Sequence, residues 1–322
     1  MTTQSNSRRP FEAPPSIRSL IMLEACASMI SGRKRPSFGR QVELSLRPQG
    51  SSRWQARFLA SDGPDGIDAV ASREADLAII NPSAVLTLAY RGTGIYRRPL
   101  PVRAITVLPQ RDVVVLAVTA DTGLTYLEEV AERRYPLSIS LRGEEPGHSI
   151  HLALSDILAA AGCPLWAIES WGGQLHYDPG FDRFGAVQTG ERNAIFDEAF
   201  PVLGQPALEA GMRLLSLREE TLDRLVRLGY RRATLSPDEH PALTEPVRTI
   251  DFSGWPLFCH TEASEELIER FCAGLEDRKE RIPWEGPGPL PLERMCGKYP
   301  EAPLDVPLHP AAERFWRGQG YL

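Results

Sequence analysis

Asp76-Leu-Ala-Ile-Ile80-Asn81-Pro82-Ser83 carries a complete strand-to-helix transition. An apolar run too short for a helix meets an Asn-Pro break. Residues 84–90 then place apolar side chains at helical spacing, so the stretch reads as strand, turn and helix. The same alternation recurs on either side. Upstream, residues 42–47 alternate apolar and polar as a strand, and residues 16–31, 53–60 and 67–73 read as helices. Downstream, strands are predicted at 102–108, 112–119, 137–141, 167–170, 194–196 and 214–217. Helices are predicted at 124–134, 148–161, 182–189, 207–210, 219–228 and 264–279. Val113-Val-Val-Leu-Ala-Val118 is apolar throughout, which suits a strand buried on both faces.

Repeated strand–helix units predict an α/β fold of two lobes, each a mainly parallel sheet flanked by helices, with a ligand cleft between the lobes. Extended segments at 247–252 and 256–260 suggest a return to the first lobe, which would then comprise residues 1–118 and 247–322. Residues 119–246 would form the second. The stretch 282–310 is dense in proline and predicts an irregular path over the surface, closed by a short helix at 310–318.

Composition narrows the function. The chain is 42% hydrophobic and 24% charged, which excludes a disordered polymer, and its formal net charge of −6 argues against non-specific nucleic-acid binding. The five cysteines are scattered and none stands at C-x-x-C spacing, so they read as reduced thiols and not as a disulfide or metal framework. Residues 1–15 are polar and proline-rich, without the apolar core of about 7–15 residues that a secretory signal needs. The expectation is a cytoplasmic protein, or a periplasmic one if a leader has been removed. No run of about 20 apolar residues predicts membrane insertion. Phosphate-loop, dinucleotide, nucleophile-elbow and H-E-x-x-H motifs are absent, so no cofactor is expected.

Three segments in order carry a family likeness: Gln49-Gly-Ser-Ser52 followed by Ser72-Arg-Glu-Ala-Asp-Leu-Ala-Ile79, then Gly190-Glu-Arg-Asn-Ala-Ile-Phe196, then Leu308-His-Pro-Ala-Ala-Glu-Arg-Phe-Trp-Arg-Gly-Gln-Gly320. Together they resemble the TAXI-type solute-binding proteins of TRAP transporters, over roughly residues 40–322. Asn193 stands where the family has Asp, and Ala311 where it has Gly. The resemblance implies a type II periplasmic-binding-protein fold, a small organic acid (a carboxylate or aromatic acid) as ligand, and a membrane transporter subunit as partner.

In such a fold the strand C-termini supply the ligand contacts. Gly50, Ser51 and Ser52 would form an anion-holding turn, or a plain one. Asn81 would read a hydroxyl or cap the next helix. Arg111 and Arg142 offer guanidiniums to a carboxylate, and Ser140 lies on the same predicted strand as Arg142. Trp171 and Gly172 would wall the cleft, unless Trp171 belongs to the core. Glu198 follows a strand and could act as a base. His148 and His151 share a helical face, a spacing open to metal, but with no carboxylate partner nearby no metal is expected. The alternative is an enzyme on the same scaffold, a lyase such as a decarboxylase of an aromatic or dicarboxylic acid, with His148, His176, Glu169 and Glu198 as its acid–base groups.

Overall fold

The computed structural model describes residues 17–31, 41–47, 55–143, 147–179 and 183–322. The chain divides into two units, Met1–Gln41 and Val42–Leu322. In the first, the expected amphipathic segment is helix α1 (Ile17–Ser31). The second unit holds everything else.

Its first part runs β1 (Val42–Leu46), β2 (Ala56–Ala60), α2 (Asp65–Ala71), β3 (Leu77–Ile79), α3 (Ser83–Arg91) and β4 (Val102–Leu108). Residues 109–114 cross to a second sheet. There follow β5 (Val115–Thr119), α4 (Glu128–Arg133), β6 (Ser138–Arg142), α5 (Ser149–Ala160), α6 (Leu165–Ser170), β7 (Gln174–Asp178), α7 (Phe184–Gln188) and β8 (Ala194–Asp197). This part ends with α8 (Gln205–Glu209), β9 (Met212–Leu214), α9 (Glu219–Leu228) and a ribbon of β10 (Arg232–Leu235) and β11 (Val247–Ile250). Residues 251–254 cross back to β12 (Trp255–His260), α10 (Glu265–Arg278), α11 (Leu292–Met295) and α12 (Pro310–Gly318).

The sheets are ordered β1-β2-β3-β12-β4 and β7-β6-β8-β5-β9, flanked by helices. Each strand that enters through a crossing runs antiparallel to both its neighbours: β12 to β3 and β4, β5 to β8 and β9. The strands around it therefore share one direction, β2, β3 and β4 in the first sheet and β6, β7, β8 and β9 in the second. The crossings place β5 wholly in the second sheet, so the first lobe ends before residue 115 and not at 118.

Those shared directions bring the strand C-termini of the two lobes face to face. The carbonyl of Asp62, after β2, accepts from both the N–H and the Oγ of Ser149, at the start of α5, each at 2.9 Å. Gly63 lies so close to Gly147 that a Cβ on it would stand 2.2 Å from the Gly147 carbonyl oxygen. Thr93 Oγ, just after α3, donates to the Leu228 carbonyl at the end of α9. One apolar core runs through both lobes, joining Ile67, Val85 and Leu88 to Leu154, Ile157 and Leu225.

The proline-rich tail has the irregular course expected, with one turn of helix at α11. It covers the open edge of β4: Ala104 donates to Pro307 (3.0 Å) and His309 donates back to Ala104 (2.8 Å). Ser83 Oγ also donates to the Pro303 carbonyl at 2.7 Å. An edge strand so covered has no free backbone row to recruit another chain.

Two predicted elements differ. Residues 56–60 form a strand, not a helix, because their backbone pairs with β1 on one side and β3 on the other. Residues 167–170 are helical, within α6, and the strand follows at β7. A short apolar run does not distinguish the two states by pattern alone.

Cys163, Cys259, Cys272 and Cys296 are buried and Cys26 is exposed; all five are free. Burial pushes the Cys163, Cys259 and Cys296 thiols up to about 12. Since the thiolate is the reactive form, the native protein is expected to give one fast-reacting thiol with an aromatic disulfide reagent at pH 8, and five once unfolded. Substituting Cys26→Ser should remove the fast phase; its survival would show a buried thiol to be reachable.

Candidate functional site

Strands β6 and β8 run parallel with Ile139 beside Ala194, Ser140 beside Ile195 and Leu141 beside Phe196. The next residues in that register are Arg142 and Asp197, so the two chain ends deliver a guanidinium and a carboxylate side by side. Arg142 Nε donates to Asp197 Oδ1 at 3.0 Å, and Nη2 stands 2.9 Å from the same oxygen. Nη2 also donates to Glu198 Oε1, and Nη1 is 3.0 Å from His148 Nε2. Arg183, on the turn into α7, donates from Nη2 to the other Asp197 oxygen. All five side chains are buried.

The two arginines differ in their supply of negative charge. Around Arg142, burial alone would favour the neutral form, but Asp197 and Glu198 outweigh it and hold the guanidinium above its ordinary range. Among the described residues Arg183 bonds to Asp197, and burial holds it below that range. Its Nε and Nη1 are buried without a hydrogen-bond partner among the described residues. A buried charge so exposed to desolvation is an acceptor-seeking group.

A third acid completes the cluster. Asp112, in the first crossing, accepts at Oδ1 from the N–H groups of Val113 (2.8 Å), Ala199 (3.0 Å) and Phe200 (3.1 Å). Ala199 takes a left-handed conformation, φ 72°, which turns the chain after β8 so that consecutive amides meet this carboxyl. Burial, then a hydrogen bond and charge from Glu198, push Asp112 up to about 9, against the backbone donors, so Asp112 keeps its proton at neutral pH. Ser253 of the return crossing accepts from the Asp112 N–H at 3.0 Å and donates to its carbonyl at 3.1 Å. His148 caps α5: its Nδ1 accepts from the Ile150 N–H at 3.1 Å.

Of the residues singled out from sequence, the structure brings together Arg142, Glu198 and His148. Asn81 leaves β3 at the cleft end, joined to Pro82 by a cis peptide, and its Oδ1 is buried without a partner among the described residues. Ser140 is already engaged, donating to Asp178 at 2.6 Å. Arg111 is exposed in the first crossing, paired with Glu239 at 3.3 Å. Trp171 and Gly172 are corrected. They form the turn from α6 into β7, beside Pro136 and Leu137, at the N-terminal end of the sheet away from the cluster. Trp171 packs on the core there. Glu169 is exposed on α6, and His176 lies beside Ser138 (3.3 Å) in the early half of its strand, so neither joins Glu198. Gly50, Ser51 and Ser52 lie outside the described residues. Among the described residues no group of three or more His, Cys, Asp or Glu side chains could hold a metal ion. Sequence reasoning missed Arg183 and Asp112; only the second carried a signal, as an acid beside the crossover arginine Arg111.

No protein-family model matches this chain, and no curated protein matches it in sequence. Several solved structures resemble it in fold. One is a protein from Bordetella bronchiseptica RB50, 12% identical, over 67% of this chain and 58% of that one, TM-score 0.36. Another is the periplasmic aliphatic sulphonate binding protein from Escherichia coli, 17% identical, over 68% and 57%, TM-score 0.34. A third is the substrate binding protein of an amino acid ABC transporter, 12% identical, over 68% and 71%, TM-score 0.29. The match spans less than two thirds of the length of the first two. No helix of the described residues is long and apolar enough to cross a membrane.

Removing Asp197 would leave two buried guanidiniums short of charge, and breaking such an arrangement costs about 3–5 kcal/mol. Asp197→Ala is therefore expected to lower unfolding free energy by that amount in urea titrations; a loss below about 1 kcal/mol would show that the cluster is not coupled to the fold.

Asp112 gives a pH signature. Its folded pKa is raised, so the stability it contributes is full below about pH 4 and is lost as pH climbs toward about 9. One proton contributes a slope of at most about 1.4 kcal/mol per pH unit. Asp112→Asn, which keeps an acceptor for the amides and a donor for Glu198, should flatten the stability profile between pH 5 and 8. An unchanged profile would put the proton elsewhere.

Proposed function

We propose that this chain binds a small organic acid between its two lobes, as a solute-binding-protein-like receptor. The observation that carries the reading is Arg183: a buried guanidinium with two nitrogens that have no acceptor among the described residues, at the end of the sheet where the lobes meet. A ligand carboxylate would supply the charge that Arg142 already draws from two acids. The Asp62–Ser149 contact closes over that region and would order on binding. On the first-lobe side, Asn81 Oδ1 is a further buried polar atom without a partner among the described residues. The finer reading, from the sequence likeness, is a TAXI-type receptor for a carboxylate or aromatic acid whose partner is a membrane transporter subunit.

A second reading rests on a separate observation. Asp112 keeps its proton beside Glu198, which Arg142 holds, so the cluster contains a buried acid able to give up and take back a proton. On that reading the bound acid is turned over, for example by decarboxylation.

Thermal unfolding against mono-, di- and aromatic carboxylates tests the first reading. An acid at about 100 times its dissociation constant stabilises by about 2.7 kcal/mol, a measurable rise in Tm. Arg183→Gln is expected to weaken that binding at least tenfold. If no acid raises Tm, or if Arg183→Gln binds as tightly as wild type, the reading fails. Incubating the stabilising acid with protein and following it by proton NMR separates the two: an unchanged spectrum leaves binding, and a new product establishes turnover.

A further inference from the structure

A cavity of about 570 Å³ lies at the two crossings, sharing Asp112 with the interlobe cluster and none of the cluster's other residues. Its volume is that of a small-molecule site. Its walls come from both crossings, from the chain after β8 and from the segment leading into β10, so any occupant touches the parts that connect the lobes.

Charge of both signs faces it. Arg111 meets Glu239 at 3.3 Å, and Arg231 meets Asp251 at 3.5 Å. Both separations exceed the 2.7–2.9 Å or so of a full charge-assisted hydrogen bond. Arg231 also meets Asp305 at 3.6 Å, and Asp251 accepts from the Ser253 N–H at 3.3 Å, so each of these contacts is long and an incoming molecule can insert its own partners. Burial holds the Asp251 carboxyl above its ordinary range despite the nearby Arg231. Between the charged groups stands an apolar wall, where the Phe200 and His240 rings sit 4.4 Å apart at 54°.

A simple anion would face Glu239 and Asp251, and a simple cation would face the arginines. A molecule carrying both charges a few bonds apart, with an apolar substituent, satisfies every wall and is repelled by none. We propose that this cavity binds an α-amino acid with an apolar or aromatic side chain, its carboxylate on Arg111 and Arg231, its ammonium on Asp251 and Glu239, and its side chain against Phe200 and His240. The site is separate in place from the organic-acid site between the lobes. Its occupant braces both crossings, so it alters how the lobes close, and any effect on the interlobe ligand is matched by an equal effect in return.

Isothermal titration of the full chain with L-phenylalanine and L-leucine tests this. At least one is expected to bind at one per chain. Arg111→Gln, at an exposed position that leaves the fold intact, and Asp251→Asn should each weaken it at least tenfold, while Arg183→Gln leaves it within about twofold. 3-Phenylpropanoate, which lacks the ammonium, should bind at least tenfold more weakly than L-phenylalanine. Binding by neither amino acid overturns the proposal. So does equal binding of 3-phenylpropanoate, and so does a loss that follows Arg183→Gln in place of Arg111→Gln, which would return the amino acid to the interlobe site.

Discussion

A single fully buried carboxylate, Asp197, holds the interlobe end of the second sheet together by standing between two guanidiniums. Such a group is tolerated only when its charge is matched and its oxygens are filled. The match here extends past the pair. Arg142 and Arg183 bring two positive charges, Asp197 and Glu198 two negative ones, and a third carboxylate at Asp112 would have no cation to face. Burial first, and then the charge of Glu198, give it its proton. The strand register makes the arrangement possible, because in-register parallel neighbours end together and place consecutive chemistry on one edge.

The same edge meets the first lobe through hydrogen bonds that admit little slack. Asp112 and Ser253 tie one crossing to the other, and Gly254 donates to the Gln110 carbonyl at 2.9 Å in the same place. The tail adds a bond from Gln110 to Glu301, also 2.9 Å. On the far side, α3 abuts the end of α9, where Gly229 has Thr87 and Leu88 as neighbours. Lobe separation on that side would expose apolar core, whereas separation at Asp62 and Ser149 would break polar contacts that water can replace. Separation is therefore cheapest where Asp62 meets Ser149, and the crossings act as a stiff back.

Much of this architecture is legible from pattern. The apolar run at 113–118 reads as a buried strand, and the helices at 219–228 and 310–318 fall where spacing puts them. Residues 56–60 do not, since Ala, Arg and Leu suit a helix locally and only pairing with two strands decides otherwise. Misreading α6 as a strand had a larger consequence, because it moved Trp171 to the wrong end of the sheet. The site divides in the same way. Arg142 and Glu198 are found by asking which residues end strands, whereas Arg183 ends none. Its importance arises from Asp197, fourteen positions on, and no local signal connects them.

Asp112 is the one residue common to the interlobe cluster and the cavity at the crossings. Its carboxyl answers to Glu198 and to the amides after β8, while its backbone is held by Ser253. A change in charge on Glu198 is thus felt at Asp112, and through it at the turn that carries Phe200 into the cavity wall. An anion arriving beside Arg183 would meet Asp197, which Arg183 shares with Arg142, and would reach Glu198 only through Arg142. Asp112 is then the single step between that end of the cluster and the cavity wall.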